Sequence, residues 1–148
     1  MYRIRPWLSV GALRETQDLV TLNAQGVTAM LQLADSVEQP GITSLYLPTE
    51  DGEPLSAKKL SQGVGFVLQQ RARDRSVLVA CGLAISRSVT FAIAALKEAE
   101  QVSLLDALRA VRSRHPEARP HPILWRSLCD YYGEPVPYRD VISRDRKE

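Results

Sequence analysis

The sequence contains little cysteine and little histidine, with two of each in 148 residues. Two cysteines can form at most one disulfide, and a domain of this size buries roughly 70% of its unfolded surface and needs no cross-link. We therefore expect free thiols. The two histidines, His115 and His121, flank a proline-rich connection and have no cysteine or carboxylate cluster nearby. They predict surface or helix-capping groups and no metal site.

Long apolar runs and a strong net charge are also missing. No stretch approaches the roughly 18 apolar residues of a membrane span, and the opening residues, MYRIRPWLSVG, lack the apolar core of a secretory signal. The formal net charge of +2 gives no electrostatic reason for nucleic acid or an anionic membrane as a partner. We expect a monomer in the cytoplasm, without nucleic-acid or membrane partners.

Segments typical of strands and of helices alternate along the chain. The predicted strands span residues 4–10, 27–33, 42–47 and 76–80, and the predicted helices span 15–24, about 57–74, 88–100, 103–115 and 123–132. Residues 134–148, rich in proline and charge, predict a mobile tail. This order indicates one α/β domain over residues 1–148. We expect a mixed, largely parallel central sheet of about four or five strands, with helices on both faces.

A cysteine stands at the end of the most apolar predicted strand. Ligands of α/β sheets bind beyond the carboxyl ends of the strands, which is where Cys81 lies. The loop residues that follow lead into a helix, so their backbone N–H groups can converge on an anion. A thiol facing those groups and the fixed charge of Arg87 is expected to be a nucleophilic thiolate. The planar guanidinium can hold two phosphoryl oxygens at once, which a lysine cannot do.

A second candidate segment precedes the long helix. The residues Pro-Thr-Glu-Asp-Gly-Glu-Pro at 48–54 contain two prolines and a glycine and predict a loop. Such a loop can carry Asp51 over the cysteine, where a carboxyl group can act as a general acid. Glu50 is the alternative acid on the same loop.

These segments resemble the protein tyrosine phosphatase superfamily, and in particular its small dual-specificity branch. The resemblance rests on Cys-x5-Arg-Ser within LVACGLAISRSVTFAIAAL, on LPTEDGEPLS as the acid loop, and on LSVGAL and GVTAMLQLAD upstream. It implies hydrolysis of phosphomonoesters on a phosphorylated protein or peptide through a phosphocysteine, without a metal or other cofactor.

The resemblance also assigns roles to residues. It implies that Cys81 attacks phosphorus, Arg87 stabilises the transition state, Asp51 protonates the leaving oxygen and Ser88 assists the departing thiolate. The implied phosphate-binding residues are Gly82, Leu83, Ala84, Ile85, Ser86 and Arg87. No lysine stands at positions 82–85 to meet extra phosphates, which argues against a phosphoinositide substrate.

Two positions depart from the family pattern, because Ala80 stands where the family has histidine and Ala84 where it has glycine. A Cβ at position 84 adds strain where the backbone needs a conformation that suits glycine. The departures leave a pseudophosphatase or a low-activity variant as an alternative, although all four catalytic groups are retained. A rhodanese-like sulfur carrier fits less well, since it would not explain the Asp51 loop. Cys129, between apolar neighbours on a helix, predicts a structural core residue.

Overall fold

Five strands and seven helices are formed by residues 1–143, the part of the chain that the computed structural model describes. In chain order they are β1 Tyr2–Arg5, β2 Leu8–Ala12, α1 Leu13–Thr16, α2 Leu19–Ala24, β3 Val27–Gln32, β4 Thr43–Tyr46, α3 Ala57–Ala72, β5 Ser76–Cys81, α4 Arg87–Glu100, α5 Leu104–Arg114, α6 Pro122–Tyr132 and α7 Tyr138–Ile142. Within the same residues, no helix has the length and apolar character needed to cross a membrane.

The strands form one mixed sheet in the order β1-β2-β5-β3-β4. Strand β1 is antiparallel to β2, and the other neighbours are parallel. In the centre of the sheet, Val79 of β5 pairs with Val10 of β2 on one side and with Leu31 of β3 on the other. Every residue of β5 after Ser76 is buried, as expected for a strand covered on both faces. The predicted α/β fold with a largely parallel sheet is confirmed.

Helix α4 lies inside the domain, packed against α3, α5, α6 and the sheet. Its residues from Ser88 to Leu96 are all buried, which explains why the segment is rich in alanine instead of having one polar face. Gly63 of α3 permits the close approach of the two helices, since a Cβ there would lie only 2.4 Å from Cε1 of Phe91. The helix that begins at Arg87 is thus held firmly by its surroundings.

Near the N-terminus, two predicted elements differ from the structure. The single extended segment predicted over 4–10 is a hairpin, because Pro6 lies in the turn between β1 and β2 and not within an edge strand. The helix predicted over 15–24 is divided into α1 and α2. Asp18 separates them, since its side chain accepts a hydrogen bond from the Thr21 N–H and so begins a new helix.

The segment predicted as a mobile tail is packed over residues 134–143. The indole Nε1 of Trp125 donates to the Val136 carbonyl at 2.9 Å, and Val141 of α7 is fully buried. Arg112 of α5 donates to the Val141 carbonyl at 2.7 Å. The prediction of a mobile tail was wrong for residues 134–143. The prolines and charged residues are typical of a mobile segment, and the sequence did not indicate that Val136 and Val141 anchor it. Residues 144–148 of the predicted tail lie outside the described residues.

Candidate active site

Strand β5 brings the Cys81 thiol to the carboxyl edge of the sheet, and α4 begins six residues later. The thiol is 2% exposed and lies directly at the helix N-terminus. The Ser88 N–H donates to Cys81 Sγ at 3.3 Å, and the Ser88 hydroxyl oxygen is 3.2 Å from the same sulfur. The Ser88 N–H and the positive end of the α4 dipole therefore meet at Sγ, and the thiol itself donates to the Ser88 hydroxyl oxygen.

The Arg87 guanidinium lies against the backbone of the loop between β5 and α4. A Cβ on Gly82 would be 3.0 Å from Arg87 Nη2, so glycine allows this close approach. The other terminal nitrogen, Nη1, donates to the Thr49 carbonyl at 2.9 Å. Arg87 is thereby tied to the segment that carries Asp51, and its planar fork is held near the cysteine.

The carboxylate of Asp51 is connected to the same loop. Its Oδ1 accepts a hydrogen bond of 2.7 Å from the Ser86 hydroxyl, which itself accepts from the His121 N–H at 2.9 Å. A cavity of about 220 Å³ is lined by Asp51, Cys81, Leu83, Ile85, Ser86 and Arg87. The neighbouring Glu50 is exposed and does not line this cavity.

Comparison with known proteins identifies the family of the chain. The family model of the dual specificity phosphatase catalytic domain matches residues 10–134. The chain belongs to the dual specificity phosphatase family. It is 29% identical to human dual specificity protein phosphatase 22 over 100% of this chain and 83% of that protein. It is 27% identical to mouse dual specificity protein phosphatase 19 over 93% of this chain and 68% of that protein.

The fold agrees as well. The crystal structure of human DUSP28 superposes with a TM-score of 0.83 at 26% identity, covering 90% of this chain and 96% of that one. The protein is therefore a cysteine-dependent protein phosphatase that acts on phosphorylated proteins.

The two departures from the family pattern are both buried in this phosphatase, but they lie in different apolar clusters. Ala80 is 2% exposed and packs in a separate apolar cluster with Leu22, Val27, Met30 and Leu78. Ala84 has a φ of 66°, the left-handed conformation that the sequence predicted to be strained. For a residue with a Cβ, this conformation costs about 1–2 kcal/mol of free energy. The loop therefore keeps this shape only because surrounding contacts enforce it.

Three contacts of the loop between β5 and α4 were not predicted from the sequence. His115 is buried, not on the surface, and its Nε2 is 2.7 Å from the Ala84 carbonyl oxygen. Thr49 contributes through its carbonyl group, and the backbone N–H of His121 holds Ser86. The predicted capping role of His121 is confirmed, because its Nδ1 accepts from the Ile123 N–H. Contacts made by backbone groups cannot be predicted from residue types, so the roles of the Thr49 carbonyl and the His121 N–H left no signal in the sequence. The His115 side chain, at the end of a predicted helix, could have been considered as a contact of the loop.

Cys129 differs from Cys81 in its surroundings. It lies on α6 and lines a larger cavity of about 490 Å³, together with prolines and aromatic residues of α6 and the segment 135–138. Burial raises the pKa of its thiol, which donates to the Val136 carbonyl at 3.6 Å. The larger cavity is lined by none of the residues predicted to bind phosphate.

Proposed function

We propose that this phosphatase hydrolyses phosphotyrosine, and phosphoserine or phosphothreonine, in two steps carried by Cys81, Arg87, Asp51 and Ser88. In the first step, the Cys81 thiolate forms a bond to phosphorus while the bond from phosphorus to the substrate oxygen breaks. The protonated Asp51 carboxyl group gives its proton to that oxygen. Arg87 and the amides of loop residues 82–86 stabilise the charge on the three equatorial oxygens.

In the second step, water attacks phosphorus and the bond between sulfur and phosphorus breaks. Asp51, now a carboxylate, accepts a proton from the water. Ser88 assists the departing thiolate through its hydroxyl group, which is 3.2 Å from Cys81 Sγ. The proposal is supported chiefly by one observation, namely that the thiol, the guanidinium and the Asp51 carboxylate line a single cavity at a helix N-terminus.

We also propose that the protein acts as a monomer in the cytoplasm, on phosphoproteins and not on nucleic acid or membranes. All the groups assigned to the reaction come from one chain. A nucleophilic thiol must stay reduced, as it does in the cytosol. Light scattering on the purified protein tests the first part, since a dimer mass at assay concentration contradicts it.

The decisive experiment compares Cys81→Ser with Cys129→Ser. We expect Cys81→Ser to lose turnover of p-nitrophenyl phosphate and of a phosphotyrosine peptide, because a hydroxyl is a far weaker nucleophile. Cys129→Ser should keep it, since Cys129 lies outside the loop cavity. Rapid acid quenching followed by intact mass measurement should detect one phosphate on Cys81. Full activity of Cys81→Ser, or a wild-type protein that binds oxyanions without turnover, would contradict the proposal.

A further inference from the structure

The imidazole of His115 contacts the phosphate loop, which is formed by residues 82–86 between β5 and α4. It follows the last residue of α5 and is 2% exposed. Its Nε2 is 2.7 Å from the Ala84 carbonyl oxygen, and because a carbonyl only accepts, Nε2 must carry the proton and donate it. The ring of Tyr2 stacks on the imidazole with centroids 3.7 Å apart and an interplanar angle of 10°. The hydrogen bond and the stack together fix the ring.

The acceptor of this hydrogen bond belongs to the strained residue of the loop. Ala84 has a φ of 66°, which glycine adopts freely and alanine does not. Such a conformation persists only where surrounding contacts enforce it. The His115 hydrogen bond is a contact of this kind, since it holds the carbonyl of the residue itself.

Holding a carbonyl group also orients the next amide. In a trans peptide the C=O and the N–H point in opposite directions, so a carbonyl tied to the surrounding scaffold turns the following N–H away from that scaffold. His115 does this for the Ile85 N–H. Two other carbonyls of the loop are held by backbone N–H groups. The Leu13 N–H donates to the Gly82 carbonyl at 3.3 Å, and the Arg119 N–H donates to the Ile85 carbonyl at 2.9 Å.

We propose that His115 is a positioning residue for the phosphate loop. Its Nε2–H holds Ala84 in the left-handed conformation and thereby aims the Ile85 N–H at the phosphoryl oxygens of the substrate. This inference rests on the proposed phosphate-binding role of the loop. Among the three tethers to the loop carbonyls described above, His115 alone acts through a side chain, so substitution can remove it without changing the backbone.

The test uses two variants that separate the hydrogen bond from the stack. His115→Phe keeps a ring for Tyr2 and loses the donor, whereas His115→Gln keeps an N–H donor and loses the ring. We expect His115→Phe to lower kcat/KM for p-nitrophenyl phosphate by about 10–100-fold, because a buried acceptor is left unpaired and the loop relaxes. His115→Gln should recover most of that loss. Tungstate binding to each variant in a Cys81→Ser background, measured by calorimetry, should weaken in the same order.

A double-mutant cycle with Ala84→Gly identifies the mechanism. Glycine adopts the left-handed conformation without support, so His115→Phe should cost several-fold less in tungstate affinity when position 84 is glycine. Additive effects would overturn the proposal, as would a His115→Phe variant with a lowered melting temperature but unchanged kcat/KM and tungstate affinity.

A third readout does not depend on turnover. In ¹⁵N–¹H spectra, the Ile85 amide signal should shift in His115→Phe and return towards its wild-type position in His115→Gln. If the wild-type protein neither turns over substrate nor binds tungstate, the proposed function fails, and the Ile85 signal still decides the role of His115. An Ile85 signal that is the same in wild type and His115→Phe overturns that role.

Discussion

Arg87 joins the phosphate loop to the acid loop, because one terminal nitrogen faces Gly82 and the other donates to the Thr49 carbonyl. We predict that Arg87→Lys lowers kcat/KM for a phosphotyrosine peptide by about 10²–10³-fold, since a lysine cannot hold two oxygens in one plane. Steady-state kinetics measure the loss. Arg126→Lys, an exposed change on α6, is the matched control. Unchanged kcat/KM in Arg87→Lys would assign the guanidinium a structural role only.

The two carboxylates of the acid loop differ in their contacts, since Asp51 lines the cavity and Glu50 does not. We predict that Asp51→Asn slows hydrolysis of phosphotyrosine peptide by about 10²–10⁴-fold, because an amide has no proton to give to the leaving oxygen. p-Nitrophenyl phosphate, whose leaving group needs little protonation, should be affected much less. Glu50→Gln should be nearly neutral in both assays. The opposite ranking would move the acid to Glu50.

A residue of the site could be predicted from the sequence when it lies close along the chain to the residues that it contacts. Cys81, Arg87 and Ser88 lie within eight positions, so strand, loop and helix patterns locate them together. His115 is 31 positions from Ala84, and its contact depends on how α5 packs beside the loop. No local pattern encodes such packing, which is why His115 was predicted to be a surface or helix-capping group and not a contact of the loop. Asp51 could be proposed from its loop, but its hydrogen bond from Ser86 could not.

Helices α3 and α4 provide a prediction at the scale of elements, because α3 contains two glycines with different surroundings. A Cβ at Gly63 would lie 2.4 Å from Phe91 Cε1, whereas at Gly65 it would meet no atom within 4 Å. We predict that Gly63→Ala destabilises the protein by about 1–3 kcal/mol through overpacking. Gly65→Ala should stabilise it by about 0.5–1 kcal/mol, because alanine favours helix.

Urea unfolding of the two glycine variants measures both effects. The pair is its own control, since each variant adds one methyl group to the same helix. Equal changes in the two variants would mean that the contact between α3 and α4 relaxes without cost.

Element boundaries were predictable where capping residues define them. Ser56 accepts from the Lys59 N–H at the start of α3, Ser103 accepts from the Asp106 N–H at the start of α5, and Gly133 ends α6 with a φ of 64°. These signals are local and were visible in the sequence. The packing of α7 depends instead on Val141 reaching the core from a short helix, a contact that no local pattern indicates.

At the scale of the whole molecule, the class of sheet could be predicted from the sequence, whereas the full strand order could not. Alternating strands and helices require crossover connections, which make neighbouring strands parallel. The apolar character of residues 77–80 placed β5 inside the sheet, in agreement with its position between β2 and β3. Strand β1 is an exception, because a two-residue turn at Pro6 and Trp7 makes it antiparallel to β2.

Global stability offers the last prediction, through a carboxylate that joins three parts of the chain. Glu134 pairs with Lys97 of α4 at 2.7 Å and accepts from the Leu104 N–H of α5 at 2.9 Å. Burial alone would raise the pKa of Glu134, but these hydrogen bonds outweigh it and lower the pKa below the ordinary 4.5. A lowered folded-state pKa stabilises the protein above the unfolded-state pKa, and this contribution is lost as pH falls through the folded-state value.

We therefore predict that Glu134→Gln lowers the free energy of unfolding by about 0.5–1 kcal/mol at neutral pH, because the partly exposed pair is screened by solvent. Urea unfolding of wild type and variant should give curves that converge as the pH falls through the folded-state pKa, where wild-type Glu134 becomes neutral. Glu38→Gln, an exposed change in the connection between β3 and β4, should leave stability unchanged at every pH. A gap between wild type and Glu134→Gln that stays constant into acid would show that the loss is one of packing and not of charge.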